Sequence, residues 1–388
     1  MTRPFKWLLI IIAAWFVVLI WRFAAGIGAV SGLTDGYPWG IWIAFDVVTG
    51  TALGCGGYAI AILAYILNKG KYHPVVRPAV LTSALGYTMA AVAIMIDVGR
   101  PWLIWKIPLG GWPPSLSGFN WNSALLEVAL CVMAYVFVLW VELSPAFAER
   151  VRDTSSSSFL RKSADVWIAF MDKALIFVLA LGLLLPTMHQ SSLGTVMLLA
   201  GHKLHPLWNS SWVPLLFLIS VVGMGYAIVV WESAVSSAIF KRRRETSMLA
   251  SLAGAMIVVN ILYLALRFGD IFVSGKTALM FNQGFYSILF WVEIAFFVVP
   301  TVMFLNPSSR RKFSVIFQGS LLMLLAGALY RFDVYIVAFN PGTNWSYFPT
   351  LPELFITLGA VATEVALYII LVKRFPILAG SSAVQAAQ

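Results

Sequence analysis

The sequence predicts an all-α polytopic membrane protein of about ten transmembrane helices. Three observations carry that prediction. Apolar runs of about 18 residues or more, long enough to cross a bilayer as a helix, recur along the whole chain. Of its 388 residues 61% are apolar and only 11% charged, with a mean hydropathy of +0.88. A soluble domain carries roughly 25% charged residues. The basic residues fall in every second loop, which is how inner-membrane proteins encode their orientation.

The first run, 5–29, follows a basic start and is longer than the apolar core of a signal peptide, so it reads as a retained first helix. Further spans are expected at 39–67, 77–98, 121–143, 165–187, 211–240, 247–271, 285–305, 313–338 and 351–372. Lys69, Lys71 and Arg77 follow the second span, and Arg150, Arg152, Arg161 and Lys162 the fourth. Lys241 to Arg244 follow the sixth, Arg310 to Lys312 the eighth, and Lys373 and Arg374 the tenth. Arg3 and Lys6 precede the first. The positive-inside rule then puts both termini in the cytoplasm, with the chain in a bacterial inner membrane. The opposite loops, 97–121, 188–211 and 338–353, are rich in Trp, Pro and Gly and predict folded interfacial structure. The Ser-rich stretch 152–163, on the cytoplasmic side, predicts a flexible linker.

Several function classes drop out. The net charge of +10 belongs to the orientation signal, so nucleic acid is not an expected partner. Cys55 and Cys131 lie inside apolar runs with no CxxC spacing, which leaves no Fe–S set and no metal site. His73 falls in a cytoplasmic loop, His202 and His205 in a non-cytoplasmic loop, and His189 at the end of span five. No pair faces across mid-membrane, so haem is not expected either. If the chain does redox work, electrons must come from a partner and go to a diffusible carrier. A lipid-soluble quinone fits, because its reduction needs protons delivered by side chains.

Ionisable residues inside spans are expensive and mark candidate sites; the competing explanation for each is a structural ion pair or a side chain that snorkels to the interface. Asp46, in "PWGIWIAFDVVTG", lies roughly 10 Å from the non-cytoplasmic start of span two at ~1.5 Å per residue. Gly50, Gly54 and Gly57 share its face, so it should point into the bundle and not at lipid. Glu127 enters span four at a similar depth, sharing its face with Asn120, Ser123, Ala124 and Cys131. Asp97 and Arg100 close span three, and His189 could hydrogen-bond a ligand from the end of span five. Arg267 and Asp270, with Asn260 and Tyr263 on the same face, Glu293, and Arg331 with Asp333 fall in the same layer. The arginines and their acidic neighbours are expected to form structural ion pairs. Glu142, Asp172, Glu232 and Glu364 lie deeper, and with Asp46 and Glu127 could compose a proton pathway.

Long motifs carry a family resemblance. "GLTDGYPWGIWIAFDVVTGTALGCGG", "KYHPVVRPAVLTSALGY", "IDVGRPW", "LLPTMHQSSLGTVMLLAGHKLHPLW" and "VAFNPG…YFPT" resemble the NrfD/PsrC family, and within it the membrane subunits of hydrogenase-2-type [NiFe] hydrogenases. The resemblance covers essentially the whole chain. It implies two four-helix bundles, 39–187 and 211–338, with peripheral helices at 5–29 and 351–372. It implies no haem or cluster in this chain, and menaquinone or ubiquinone bound near the non-cytoplasmic side of the first bundle. It also implies partners on the periplasmic side: a ferredoxin-like Fe–S subunit and the small and large hydrogenase subunits. Quinone binding and protonation would then fall to Asp46, Glu127, His189, Asp97 and Arg100, although some relatives place a His or Tyr where this chain has Asp46 and Glu127. Another electron donor within the family, a secondary transporter and a purely structural anchor are the alternatives.

Overall fold

A computed structural model describes residues 3–67, 69–240 and 246–378. The basic run Lys241 to Arg244 lies outside the described residues. The spans are Arg3–Ala25, Ile43–Ile66, Gly70–Asp97, Ala124–Thr154, Ser158–Leu199, Val213–Ile239, Thr246–Val273, Phe285–Leu305, Phe313–Val337 and Leu351–Arg374, numbered one to ten here. Among the described residues there is no β-strand, only an isolated antiparallel bridge between Leu204 and Phe339. Antiparallel helices satisfy every backbone group internally, which is what a bilayer demands.

Spans two, three and six form the interior, and large apolar side chains cover the outer faces of the rest, among them Phe16, Phe137, Phe177, Val258 and Val302. Lipid is the natural neighbour of such faces, since lipid tails are as apolar as leucine. Spans four and five form a long hairpin, and spans one and ten pack on each other along their length. Span ten also lies against span three, so the two terminal helices make one layer on that flank of the molecule. At the basic end Arg77 holds Glu149 through two bonds of 2.6 and 2.8 Å and also donates to the Pro376 carbonyl.

Two sequence expectations need correction. The Ser-rich stretch 152–163 is not a linker: span four runs to Thr154 and span five begins at Ser158, with the Ser157 hydroxyl capping the Leu160 N–H. Span five also continues far beyond 187, to Leu199, so His189 is in mid-helix and not at a helix end. Pro186 does not stop it: the helix runs on through that position, with the Thr187 hydroxyl bonding the Leu183 carbonyl and the Ser191 and Ser192 hydroxyls the Met188 carbonyl.

Span two is irregular where the sequence places Asp46. Residues Ile43–Thr49 form a π-helical stretch, and the Thr49 hydroxyl bonds the Ala44 carbonyl five residues back. Single π turns of this kind concentrate at functional sites. The approach to this stretch is tied down by the loop before span ten. The Ile41 N–H donates to the Tyr347 hydroxyl at 2.7 Å, Trp39 Nε1 to the Tyr335 carbonyl, and Tyr37 to the Phe339 carbonyl. Gly40 is required there, since a Cβ would sit 2.7 Å from Glu353 Oε1 and 2.8 Å from the Tyr347 hydroxyl. The "GYPWG" motif is thus partly a clasp that holds the start of span two against the end of span nine and the loop 338–350.

Candidate functional site

Three polar clusters lie inside the helical shell. The first lines a cavity of about 320 Å³ between spans two, three, six and ten. Span two contributes Asp46 and Gly50, span three Thr82 and Gly86, span six Glu232, and span ten Glu364 and Tyr368. Most of the remaining wall is apolar, including Phe45, Leu53, Met89, Ile228 and Val365. Glu232 accepts from Thr82 at 2.9 Å and from the Tyr368 hydroxyl. Gly86 lies beside Glu364: a Cβ there would meet Glu364 Oε1 at 3.6 Å, an ordinary van der Waals contact. Asp46 is buried, has Thr357 of span ten beside it, and leaves Oδ2 without a hydrogen bond. Among the described residues the lining holds three carboxylates and no basic side chain. At ~1.5 Å per residue from the Trp-rich ends of their helices, Asp46 lies roughly 8 Å deep, Glu364 roughly 20 Å and Glu232 roughly 29 Å.

The second cluster lies behind span two as seen from that cavity. Thr51 Oγ1 meets His189 Nε2 at 3.1 Å and the Gln190 side-chain amide at 3.0 Å. Gln190 Oε1 in turn accepts from Arg331 Nη2 at 3.1 Å. Arg331 is fully buried and makes no ion pair among the described residues. Its charge meets Ser220, the Gly327 and Phe217 carbonyls, and the Phe217 ring at 4.9 Å. The expected pairing of Arg331 with Asp333 is therefore absent. The i, i+2 spacing points the two side chains apart on a helix.

The third cluster is in the second half of the chain. Glu293 accepts from Trp208 Nε1 at 2.8 Å, from the Tyr263 hydroxyl at 3.0 Å and from Arg267 Nε at 3.4 Å, all of them buried. Arg267 also donates to the Leu207 carbonyl at 2.7 Å. Asn260 bonds Thr301 on the same helix face. Asp333 is buried nearby, with neither carboxylate oxygen hydrogen-bonded. Asp270 makes no ion pair among the described residues and lines a separate polar pocket with Lys276.

The remaining sequence candidates lie apart from the cavity. Glu127 is in the first turn of span four, where a carboxylate complements the helix dipole, and it does not line the cavity with Asp46. Asp97 accepts from Trp42 Nε1 at 2.7 Å. Arg100 is exposed just beyond the helix end. Glu142 faces Gly182 across the hairpin of spans four and five, and Asp172 is exposed on span five.

Against known protein families, residues 29–341 match the model described as polysulphide reductase, NrfD. The chain belongs to the NrfD family. Among individual relatives, this NrfD-family chain is 39% identical to the "Probable Ni/Fe-hydrogenase 2 b-type cytochrome subunit" of Escherichia coli (strain K12), over 93% of this chain and 89% of that protein. It is 27% identical to the "Menaquinone reductase, integral membrane subunit" of Nitratidesulfovibrio vulgaris, over 85% of this chain and 80% of that one.

One of those names carries the words b-type cytochrome, and the histidines here do not fit such a group. A membrane b haem needs two facing axial ligands. His73 packs on Tyr65, His189 on Tyr87, and His205 stacks on Tyr286 at 4.2 Å, while His202 is exposed in the turn Gly201–Lys203. Among the described residues no ring contact or hydrogen bond joins two of these histidines.

Sequence reasoning missed four contributors: Thr51, Gln190, Tyr368 and Arg22. The first three are ordinary polar residues inside spans, and only the fold shows which helix each one faces. Arg22 sits at the end of span one, where an arginine is ordinarily an interfacial anchor. It is instead buried, donating to the Ile96 and Val98 carbonyls at 2.6 and 2.8 Å and so capping span three.

Proposed function

We propose that this NrfD-family chain is the quinone-reactive membrane subunit of a respiratory oxidoreductase, with a [NiFe] hydrogenase as its electron source. The 39% identity to the hydrogenase-2 subunit favours that donor, and the menaquinone reductase subunit among its relatives favours a quinone acceptor. A ferredoxin-like Fe–S subunit on the Trp-rich face would deliver the electrons, in a bacterial inner membrane with both termini cytoplasmic. One observation carries the proposal: three carboxylates at three depths line one largely apolar cavity. Binding sites for small apolar ligands have this size and lining, with a few polar groups to orient the ligand.

Reduction of a quinone consumes two electrons and two protons, and the chain's own residues must supply the protons. Asp46, nearest the Trp-rich end, would hold a quinone carbonyl and pass protons to it. Gly50 and Gly86 lie in the same wall. Glu364 and Glu232 would refill Asp46 from the basic side, with Thr82 and Tyr368 keeping Glu232 oriented.

Replacing Asp46 by Asn keeps the shape and removes the exchangeable proton. In the intact complex we expect Asp46→Asn to lower donor-dependent quinone reduction by about a hundredfold, while artificial-dye reduction by the partner subunits is kept. Unchanged quinone reduction would remove Asp46 from the site.

A further inference from the structure

The cluster behind span two carries a stricter instruction than its distances alone suggest. Arg331 offers only donors, so the Gln190 group facing it must be the amide oxygen. The amide nitrogen must then face Thr51 and donate to its oxygen at 3.0 Å. Thr51 owns a single proton, and that proton is committed elsewhere. Its oxygen stands 2.5 Å from the Val47 carbonyl, an acceptor with no hydrogen of its own, so the hydroxyl hydrogen must lie between them. Both remaining partners of Thr51 Oγ1 must therefore donate to it. One is Gln190. The other, His189 Nε2 at 3.1 Å, must carry a hydrogen. Nδ1 of the same ring, buried and without a hydrogen bond, is left as the lone-pair nitrogen of a neutral imidazole.

We propose that Thr51, its hydroxyl hydrogen held by the Val47 carbonyl, is a positioning residue that locks His189 as the Nε2–H tautomer and so leaves Nδ1 as a hydrogen-bond acceptor. The chain of bonds continues through Gln190 to Arg331, from span two to span five to span nine. Arg331 fixes the Gln190 amide alone, by a permanent charge and a fork held by Ser220 and the Gly327 carbonyl on one nitrogen and the Phe217 carbonyl on the other. Nδ1 can accept a hydrogen bond and cannot donate one.

The test is nitrogen NMR on the full chain, labelled with 15N-histidine and kept in its native complex in lipid. Only four histidines contribute, and the His189 signals are those lost in His189→Phe. The wild type is expected to show one His189 form, with Nε2 protonated and Nδ1 bare. Thr51→Val is expected to give a mixture of both tautomers, and Thr51→Ser and Gln190→Leu to keep the single form. A wild-type ring protonated at Nδ1, or a single Nε2–H form persisting in Thr51→Val, would overturn the proposal. Should Thr51→Val fail to assemble, a mixed or Nδ1-protonated ring in the wild type or in Thr51→Ser would still overturn it.

Discussion

At the scale of the residue, buried charges here divide into those that are paired and those that are not. Arg267 and Glu293 form a desolvated ion pair at 3.4 Å, reinforced by Trp208 and Tyr263. Removing one partner of such a pair strands the other, at a cost of roughly 3–5 kcal/mol, whereas replacing both with apolar groups can be nearly neutral. Arg267→Met alone is therefore expected to lower the unfolding temperature of the detergent-solubilised subunit sharply. Arg267→Met with Glu293→Leu should recover most of the loss. A double variant as unstable as the single would mean that the four-residue network, and not the ion pair, supports the fold. Asp46 contrasts with this pair. It faces a cavity whose described lining holds no cation, which is why its removal is expected to cost activity and not folding.

At the scale of the element, close approach decides what each helix tolerates. A Cβ on Gly359 of span ten would fall 2.2 Å from the Trp15 ring of span one. Gly359→Ala should cost about 1–3 kcal/mol by overpacking, and Trp15→Leu should relieve it in the double variant. Protease sensitivity of the first span reads this directly. The loop between spans five and six is held by His205, whose carbonyl accepts the Trp208 and Asn209 N–H groups. Burial lowers the His205 pKa from its ordinary 6.5, and the bond to Gln283 offsets only part of that. The folded loop therefore binds a proton less readily than the opened one. Its stability is complete above pH 6.5 and declines as the pH falls below it. Exchange of the Trp208 and Asn209 amides, corrected for the intrinsic pH effect, should quicken between about pH 7 and pH 5 in the wild type and not in His205→Gln. The spans themselves were legible in the sequence because a bilayer enforces long apolar runs. Span five exceeded its predicted bounds because a membrane helix tolerates an internal proline such as Pro186, which a breaker rule does not allow for. Asp46 was legible as an exception to that apolar rule. Its company was not: Glu232 and Glu364 lie 186 and 318 residues further along the chain, and Glu127, on span four, does not line the cavity.

At the scale of the whole molecule, span two separates two polar systems. One face of it carries Asp46 into the cavity with Glu364 and Glu232, and Thr51, on another face, meets His189 and Arg331. The π-helical stretch between Ile43 and Thr49 rotates these side chains relative to a regular helix and lies in both systems at once. The carboxylates make a graded series from the Trp-rich end toward the basic end, so direction matters more than any single member. If Glu232 and Glu364 refill Asp46, the protons used at the cavity come from the basic side. Glu364→Gln and Glu232→Gln keep size and hydrogen-bonding reach while ending proton exchange at one step each. In vesicles carrying the complex in one orientation, with pH-sensitive dyes on both sides, each variant is expected to slow quinone reduction about tenfold or more. Proton uptake on the basic side should vanish in parallel. A variant that keeps turnover but takes up protons from the Trp-rich side would show that Asp46 is supplied from the nearer surface. Glu364 and Glu232 would then serve the shape of the cavity and not its chemistry.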